Sequence, residues 1–171
     1  EKLTAKIEQQ AAHSKKLKGE IATLESELAA LVREQAEMDK IRAEEKAAWE
    51  TNSAEMEKGL GGIKLALKVL NEYYAKADKA HSSADGASTG IIGLLEVCES
   101  DFSKALTEMN AEEQSSAAAY DQETKENEIE KTTKNQDVKY KTKDSNGLDK
   151  SNAELSSDKG NVATELAAVN E

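Results

Sequence analysis

Residues 17–31 read LKGEIATLESELAAL, and this stretch decides the fold. Its apolar residues Leu17, Ile21, Leu24, Leu28 and Leu31 follow one another in alternating steps of four and three residues. On an α-helix this spacing, with a mean period of 3.5, places all five side chains in one stripe. A stripe of this period is buried only against another helix, so the stretch predicts a coiled coil.

The same spacing recurs further along the chain, and no proline interrupts it in 171 residues. We expect these positions to form an assembly seam with the five residues above. Its further members are Ile63, Leu67, Leu70, Tyr74, Ile91, Leu95, Phe102, Leu155, Val162 and Leu166. The pattern predicts an all-α fold, an elongated antiparallel coiled coil or helical bundle of long helices.

The composition agrees with a thin bundle better than with an ordinary globular domain. Aromatic residues make up 4% of the chain and charged residues 33%, so there is little bulky apolar material for a deep core. Strong helix formers (Ala, Glu, Lys and Leu) dominate. A net charge of −11 with low hydrophobicity is also found in disordered chains. Disordered chains do not keep heptad spacing, and only residues 110–145, where the seam becomes polar, keep that alternative open.

We predict a single elongated unit, 1–171, in seven segments. These are a helix over 3–58, a glycine-rich turn or hinge at 59–62, a helix over 60–80, a loop over 81–89, a helix over 90–144, a turn at 145–147 and a helix over 148–171. Two junctions have alternatives. The glycines at 59–62 either reverse the chain or allow a partner backbone to approach closely, and a capping box at 52–55 could kink or restart the first helix.

The charge and hydropathy patterns exclude several kinds of partner. The chain has no basic stripe to displace counterions from nucleic acid phosphates. Its longest apolar run, 91–98, is far shorter than the roughly 20 residues of a membrane span. No signal peptide is visible and the chain begins at Glu1, which suggests a processed product or part of a longer polypeptide.

Residues that could carry chemistry are few, and we expect no enzyme, cofactor or small-molecule substrate. The two histidines, His13 and His81, have no neighbour at metal-ligand spacing. The single cysteine, Cys98, excludes an internal disulfide. Its spacing to Leu95 and Phe102 predicts a small buried apolar side chain, with an intermolecular disulfide as the alternative.

Carboxylate clusters are the one feature that suggests a metal ion. Residues 144–149 lack the glycine and acidic spacing of a calcium loop, so no specific site is predicted. These acidic positions are interpreted first as a solvated acidic face, and any calcium binding would be weak and diffuse, at Glu112, Glu113, Glu126, Glu128 and Glu130.

One stretch is less generic than the rest. Residues 86–106 read GASTGIIGLLEVCESDFSKAL and continue through Glu112-Glu113 and Tyr120 to Glu126-Asn127-Glu128. This pattern, over roughly residues 60–150, resembles the trichocyst matrix proteins, which are coiled-coil lattice proteins of protist extrusive organelles. Many of those proteins are larger or disulfide-linked, which leaves the assembly partner and any linkage through Cys98 open.

The resemblance implies an acidic helical protein that is cut from a longer precursor and packed as an array in a secretory granule, or trichocyst. It implies that calcium entry lengthens the array and that the protein is extracellular after discharge. We therefore expect a structural protein that assembles with copies of itself or paralogous coiled-coil proteins into a filament or lattice. The alternative is a soluble coiled-coil adaptor or linker, bound along a larger assembly without self-assembly.

Overall fold

The computed structural model describes residues 1–77 and 85–170, with side chains described for 1–75 and 90–170. It contains two long helices, α1 (Lys2–Ala77) and α2 (Asp85–Val169), and no strand in the described part of the chain. The helices pack against each other, which confirms the predicted all-α fold of long paired helices.

The contacts between the helices group into two units. The terminal unit combines Glu1–Glu37 with Glu123–Glu171, and the middle unit is Met38–Gln122. Within the terminal unit Ser14 bonds to Ser145 and Gln35 bonds to Asn127, so rising numbers in α1 meet falling numbers in α2. Within the middle unit Arg42 meets Glu113 and Lys64 meets Glu99. The two helices therefore run antiparallel in each unit.

The helix α1 continues through the glycines at 59–62. The predicted alternative of a chain reversal here is wrong, and the close neighbour at Gly59 is an aromatic side chain of α2, not the partner backbone of the other alternative. A Cβ built on Gly59 would lie 2.9 Å from a ring carbon of Phe102, so the glycine leaves room for the aromatic ring. The helix also runs unbroken through the capping box at 52–55. The predicted helices 3–58 and 60–80 are thus one helix as far as Ala77.

The predicted turn at 145–147 is wrong, because α2 passes through it without interruption. Ser145 is 2% exposed, and its hydroxyl lies 3.2 Å from that of Ser14 on α1. Packing against α1 therefore holds a turn-like sequence in helical form, and the predicted helices 90–144 and 148–171 are one helix.

The predicted loop over 81–89 is wrong for residues 85–89, which belong to α2. An acidic residue at the first position, Asp85, favours a helix start there because it interacts well with the positive end of the helix dipole. Residues 81–84 of that loop, 78–80 of the second predicted helix and Glu171 lie outside the described part of the chain.

Candidate assembly surfaces

The seam between the helices buries few large apolar side chains. Among the residues whose side chains are described, only Leu17, Leu60 and Leu67 are apolar and less than about a tenth exposed. A core residue of a globular protein is normally surrounded on all sides by other side chains. Two helices alone cannot enclose a stripe in this way, so most of the seam is only half-buried.

The predicted seam residues fall into two groups. Most lie buried or half-buried along the helix pair, namely Leu17, Ile21, Leu24, Leu28, Leu31, Ile63, Leu67, Leu70, Tyr74, Leu95 and Leu155. The other four are more exposed: Ile91 by 54%, Phe102 by 37%, Val162 by 54% and Leu166 by 61%. At the start of α2 it is Ile92, one residue after Ile91, that is half-buried.

In the terminal unit the two sides of the seam differ in chemistry. The α1 side carries leucine and isoleucine, whereas the half-buried positions of α2 include Thr124, Asn127, Lys134 and Lys141. The lysine stems can cover apolar surface while their ammonium groups reach the edge of the seam. The ammonium of Lys141 lies 2.5 Å from the Glu20 carboxylate, and that of Lys134 binds Glu27.

A polar layer crosses the seam of the terminal unit around Ser14 and Ser145. Ser14 Oγ donates to Asp149 Oδ1 at 2.6 Å, and Lys18 Nζ donates to Asp149 Oδ2 at 2.7 Å. The ammonium of Lys18, and to a smaller extent the hydroxyl of Ser14, hold the pKa of Asp149 below its usual range. A buried polar contact is satisfied in one register only, so this layer selects the alignment of α1 on α2.

Sequence reasoning missed this layer, although part of its signal was visible. Ser14 stands on the heptad grid between Ile7 and Leu17, and Ser145 follows Val138 by one heptad. Serine at seam positions is the signal, but spacing within one helix does not show which residue of the other helix meets it. Near this layer the side-chain oxygens of Gln10 and Asn152 are buried without a hydrogen-bond partner.

In the middle unit an ion pair takes the place of the serines. The two terminal guanidinium nitrogens of Arg42, Nη1 and Nη2, both donate to the carboxylate of Glu113, and the Nη1–Oε2 distance is 3.0 Å. Their side chains are 13% and 15% exposed. The bidentate guanidinium lowers the pKa of Glu113, and the carboxylate raises the pKa of Arg42. Close by, Trp49 Nε1 donates to Asn110 Oδ1 at 3.0 Å, and the Tyr120 hydroxyl donates to Asp39 at 2.7 Å.

The acidic residues expected to attract calcium have different surroundings. The carboxylate of Glu113 forms an ion pair with the guanidinium of Arg42, and Glu130 Oε1 lies 3.3 Å from Lys134 Nζ. Glu112, Glu126 and Glu128 are exposed. Within the described parts of the chain, no three His, Cys, Asp or Glu side chains come together as a metal site.

Cys98 is half-buried and carries a free thiol. His13 is exposed, and His81 lies outside the described residues. No helix in the described ranges is long and apolar enough to cross a membrane.

Comparison with known proteins gives no relative from which a role could be transferred. No family model, no curated protein and no solved structure matches the chain.

Proposed function

We propose that this chain is a structural coiled-coil protein that assembles with copies of itself into a filament or lattice. The observation that carries the proposal is the half-buried seam. Its stripe of leucine and isoleucine on α1 meets a largely polar stretch of α2 in the terminal unit. Apolar surface that one partner helix cannot cover favours further helices, and a structural protein supplies them as neighbouring molecules.

The accessible surface supports the same reading. The chain exposes 12584 Å², whereas a compact monomer of 18.5 kDa exposes about 8,200 Å². Among the side chains that the structure describes, fourteen large apolar ones are more than a third exposed, including Leu65, Leu94 and Ile129. Single exposed apolar residues are normal, but this many on two helices favours burial in an assembly.

The site of action that we propose is an extrusive secretory granule of the trichocyst type. The support is the resemblance of residues 86–106 and their acidic continuation to the matrix proteins of that organelle. A net charge of −11 also suits a protein that is stored condensed, because its mutual repulsion depends on the surrounding cations.

Calcium would act on such an array through many weak contacts. Glu113 and Glu130 have basic partners within the chain. Exposed carboxylates over the whole acidic surface, which gives the chain its net charge of −11, respond to the cation concentration as a group. We propose that calcium changes the spacing or extent of the assembly by screening and bridging these groups.

Electron microscopy and light scattering of the purified 171-residue chain test this proposal. We expect filaments or ordered arrays whose size or spacing changes when millimolar calcium replaces a chelator. Magnesium is the matched control, because it carries the same charge and separates general screening from calcium preference. A monodisperse particle of 18.5 kDa under all these conditions contradicts self-assembly and favours the adaptor.

A further inference from the structure

The outward face of α2 in the terminal unit carries lysines and no carboxylate. Steps of three and four residues along a helix stay on one face. From Lys125 such steps pass through eight positions that are all exposed, and we call these positions the lysine stripe. They are Lys125, Ile129, Thr132, Gln136, Lys139, Lys143, Asn146 and Lys150. In sequence these lysines alternate with carboxylates, so the stripe exists only on the folded helix.

A second face of the same unit is acidic. Two rows of carboxylates form it, each with steps of seven residues, which keep the side chains of a row on one face of the helix. We call the two rows together the acidic side. The α1 row is Glu20, Glu27 and Glu34, and the α2 row is Glu123, Glu130, Asp137 and Asp144.

Two lysines of the seam show that both rows lie on the same side of the helix pair. Lys134 Nζ binds Glu27 of the α1 row, and it also lies 3.3 Å from Oε1 of Glu130 in the α2 row. One heptad further along α2, Lys141 Nζ lies 2.5 Å from Glu20 Oε2. A single lysine can reach both rows only where they flank the same edge of the seam.

Neither face is neutralised from within the chain. The lysine stripe has four lysines, and none of them forms an ion pair with a side chain that the structure describes. The acidic side has seven carboxylates and three nearby lysines, namely Lys16, Lys134 and Lys141. Two members of its α2 row, Glu123 and Asp144, are exposed and form no ion pair within the described ranges. The two faces therefore carry opposite charges of similar size.

Charge complementarity identifies a second copy as the partner of the lysine stripe. Carboxylates seven residues apart repeat about every 10.5 Å along a helix. Lys143 and Lys150 also stand seven residues apart, and Lys125 and Lys139 stand fourteen apart. A helix that lies lengthwise on the acidic side can thus match several pairs at once. Copies that each carry −11 repel one another on average, whereas this contact brings opposite charges together.

We infer that the lysine stripe of one copy docks lengthwise on the acidic side of the terminal unit of a second copy. The two faces differ, so after one contact has formed each copy still presents a face for the next. Contacts of this head-to-tail kind continue into open assemblies unless they close into a ring. This inference rests on the proposed self-assembly and specifies the contact that propagates it.

Charge reversal on the stripe is the first test, with light scattering and sedimentation velocity at a fixed salt concentration. We expect Lys143→Glu/Lys150→Glu to raise the protein concentration needed for assembly about tenfold or more, because attraction becomes repulsion. Lys15→Glu/Lys68→Glu is the matched control, since both lysines are exposed, lie off both faces and form no ion pair with a described side chain. It changes the net charge equally and should stay within about threefold of the parent. Circular dichroism checks that both variants stay helical.

A mixing experiment makes the test independent of any loss of folding. Glu123→Lys/Asp144→Lys reverses charges on the acidic side, and we expect this variant, like Lys143→Glu/Lys150→Glu, not to assemble alone. Each variant then has two faces of the same sign. In an equimolar mixture the reversed stripe of one variant meets the reversed acidic side of the other, and their unchanged faces also match. The mixture should assemble within about threefold of the parent concentration.

The outcomes separate the two proposals. Assembly of either face variant alone at the parent concentration overturns the docking contact and leaves self-assembly standing. The contact is also overturned if the Lys15→Glu/Lys68→Glu control is impaired as strongly as the stripe variant. A mixture that stays dissociated although both variants are helical has the same meaning. A parent chain that is monomeric at every concentration overturns both proposals.

Discussion

The two units use different chemistry for the same task of pairing α1 with α2. In the middle unit Leu60 and Leu67 are buried in the seam, and the bidentate ion pair of Arg42 and Glu113 is accompanied by the Trp49–Asn110 and Tyr120–Asp39 hydrogen bonds. In the terminal unit the α2 side is mostly polar, and serines and lysine–carboxylate pairs connect the helices. The first kind of seam supplies burial free energy, and the second mainly specifies the register.

The largest effect that we predict is the loss of a buried leucine in the middle unit. Leu67→Ala should lower the free energy of unfolding by about 2–4 kcal/mol, because it removes apolar contacts and leaves a cavity. Chemical denaturation at a fixed protein concentration measures the change. Leu166→Ala, at a position 61% exposed, is the control and should cost less than about 0.5 kcal/mol. Similar costs for both would show that the middle seam is not a core.

A smaller effect is expected from the polar layer of the terminal unit. Ser14→Ala removes the contact with Ser145 and the hydrogen bond to Asp149, whereas Ser145→Ala removes only the first. We expect losses of about 1–2 kcal/mol and about 1 kcal/mol, respectively, in thermal or chemical unfolding. The reverse order would contradict the assigned hydrogen bonds.

The ion pair of the middle unit should make stability depend on pH. The pKa of Glu113 is lowered in the folded chain by the Arg42 guanidinium, so the contribution is fully present above the unfolded pKa. It is lost as the pH falls through the lower folded pKa. The melting temperature of Glu113→Gln should therefore lie below that of the parent from pH 7 to about 5, and the gap should close below about pH 4. A gap that widens in acid would contradict this pairing.

The smallest effect is predicted for the exposed ion pair of the middle unit. Lys64 and Glu99 are 3.8 Å apart, with side chains 55% and 35% exposed. Water screens such pairs well, so Lys64→Ala should change the unfolding free energy by less than about 0.5 kcal/mol. Added salt should reduce even this difference, and a cost above 1 kcal/mol would show a role outside the pair.

Much of the fold could be predicted because heptad spacing places the apolar residues of a helix on one face, and that face is the one that packs against another helix. The spacing of Ile63, Leu67 and Leu70 predicted half-buried or buried positions, and the structure has them so. The polar change of the seam at Thr124 and Asn127 was visible in the same way. Local spacing is sufficient wherever a helix meets one straight partner.

The parts that could not be predicted depend on contacts between residues far apart in sequence. Ser145-Asn146-Gly147 has the composition of a turn, but it lies inside α2, where Ser145 is buried against Ser14 of α1. The choice at Gly59 depended on Phe102, which is 43 residues away. The pairing of Arg42 with Glu113 likewise requires the alignment of the two helices, which the period of either helix alone does not give.

The central claim is that a second molecule completes the helix pair, and its most direct test is the molar mass of the parent chain against concentration. Sedimentation equilibrium in near-physiological salt should show a mass that rises from 18.5 kDa towards twice that value or beyond. A mass that stays at 18.5 kDa up to the highest soluble concentration would contradict the account.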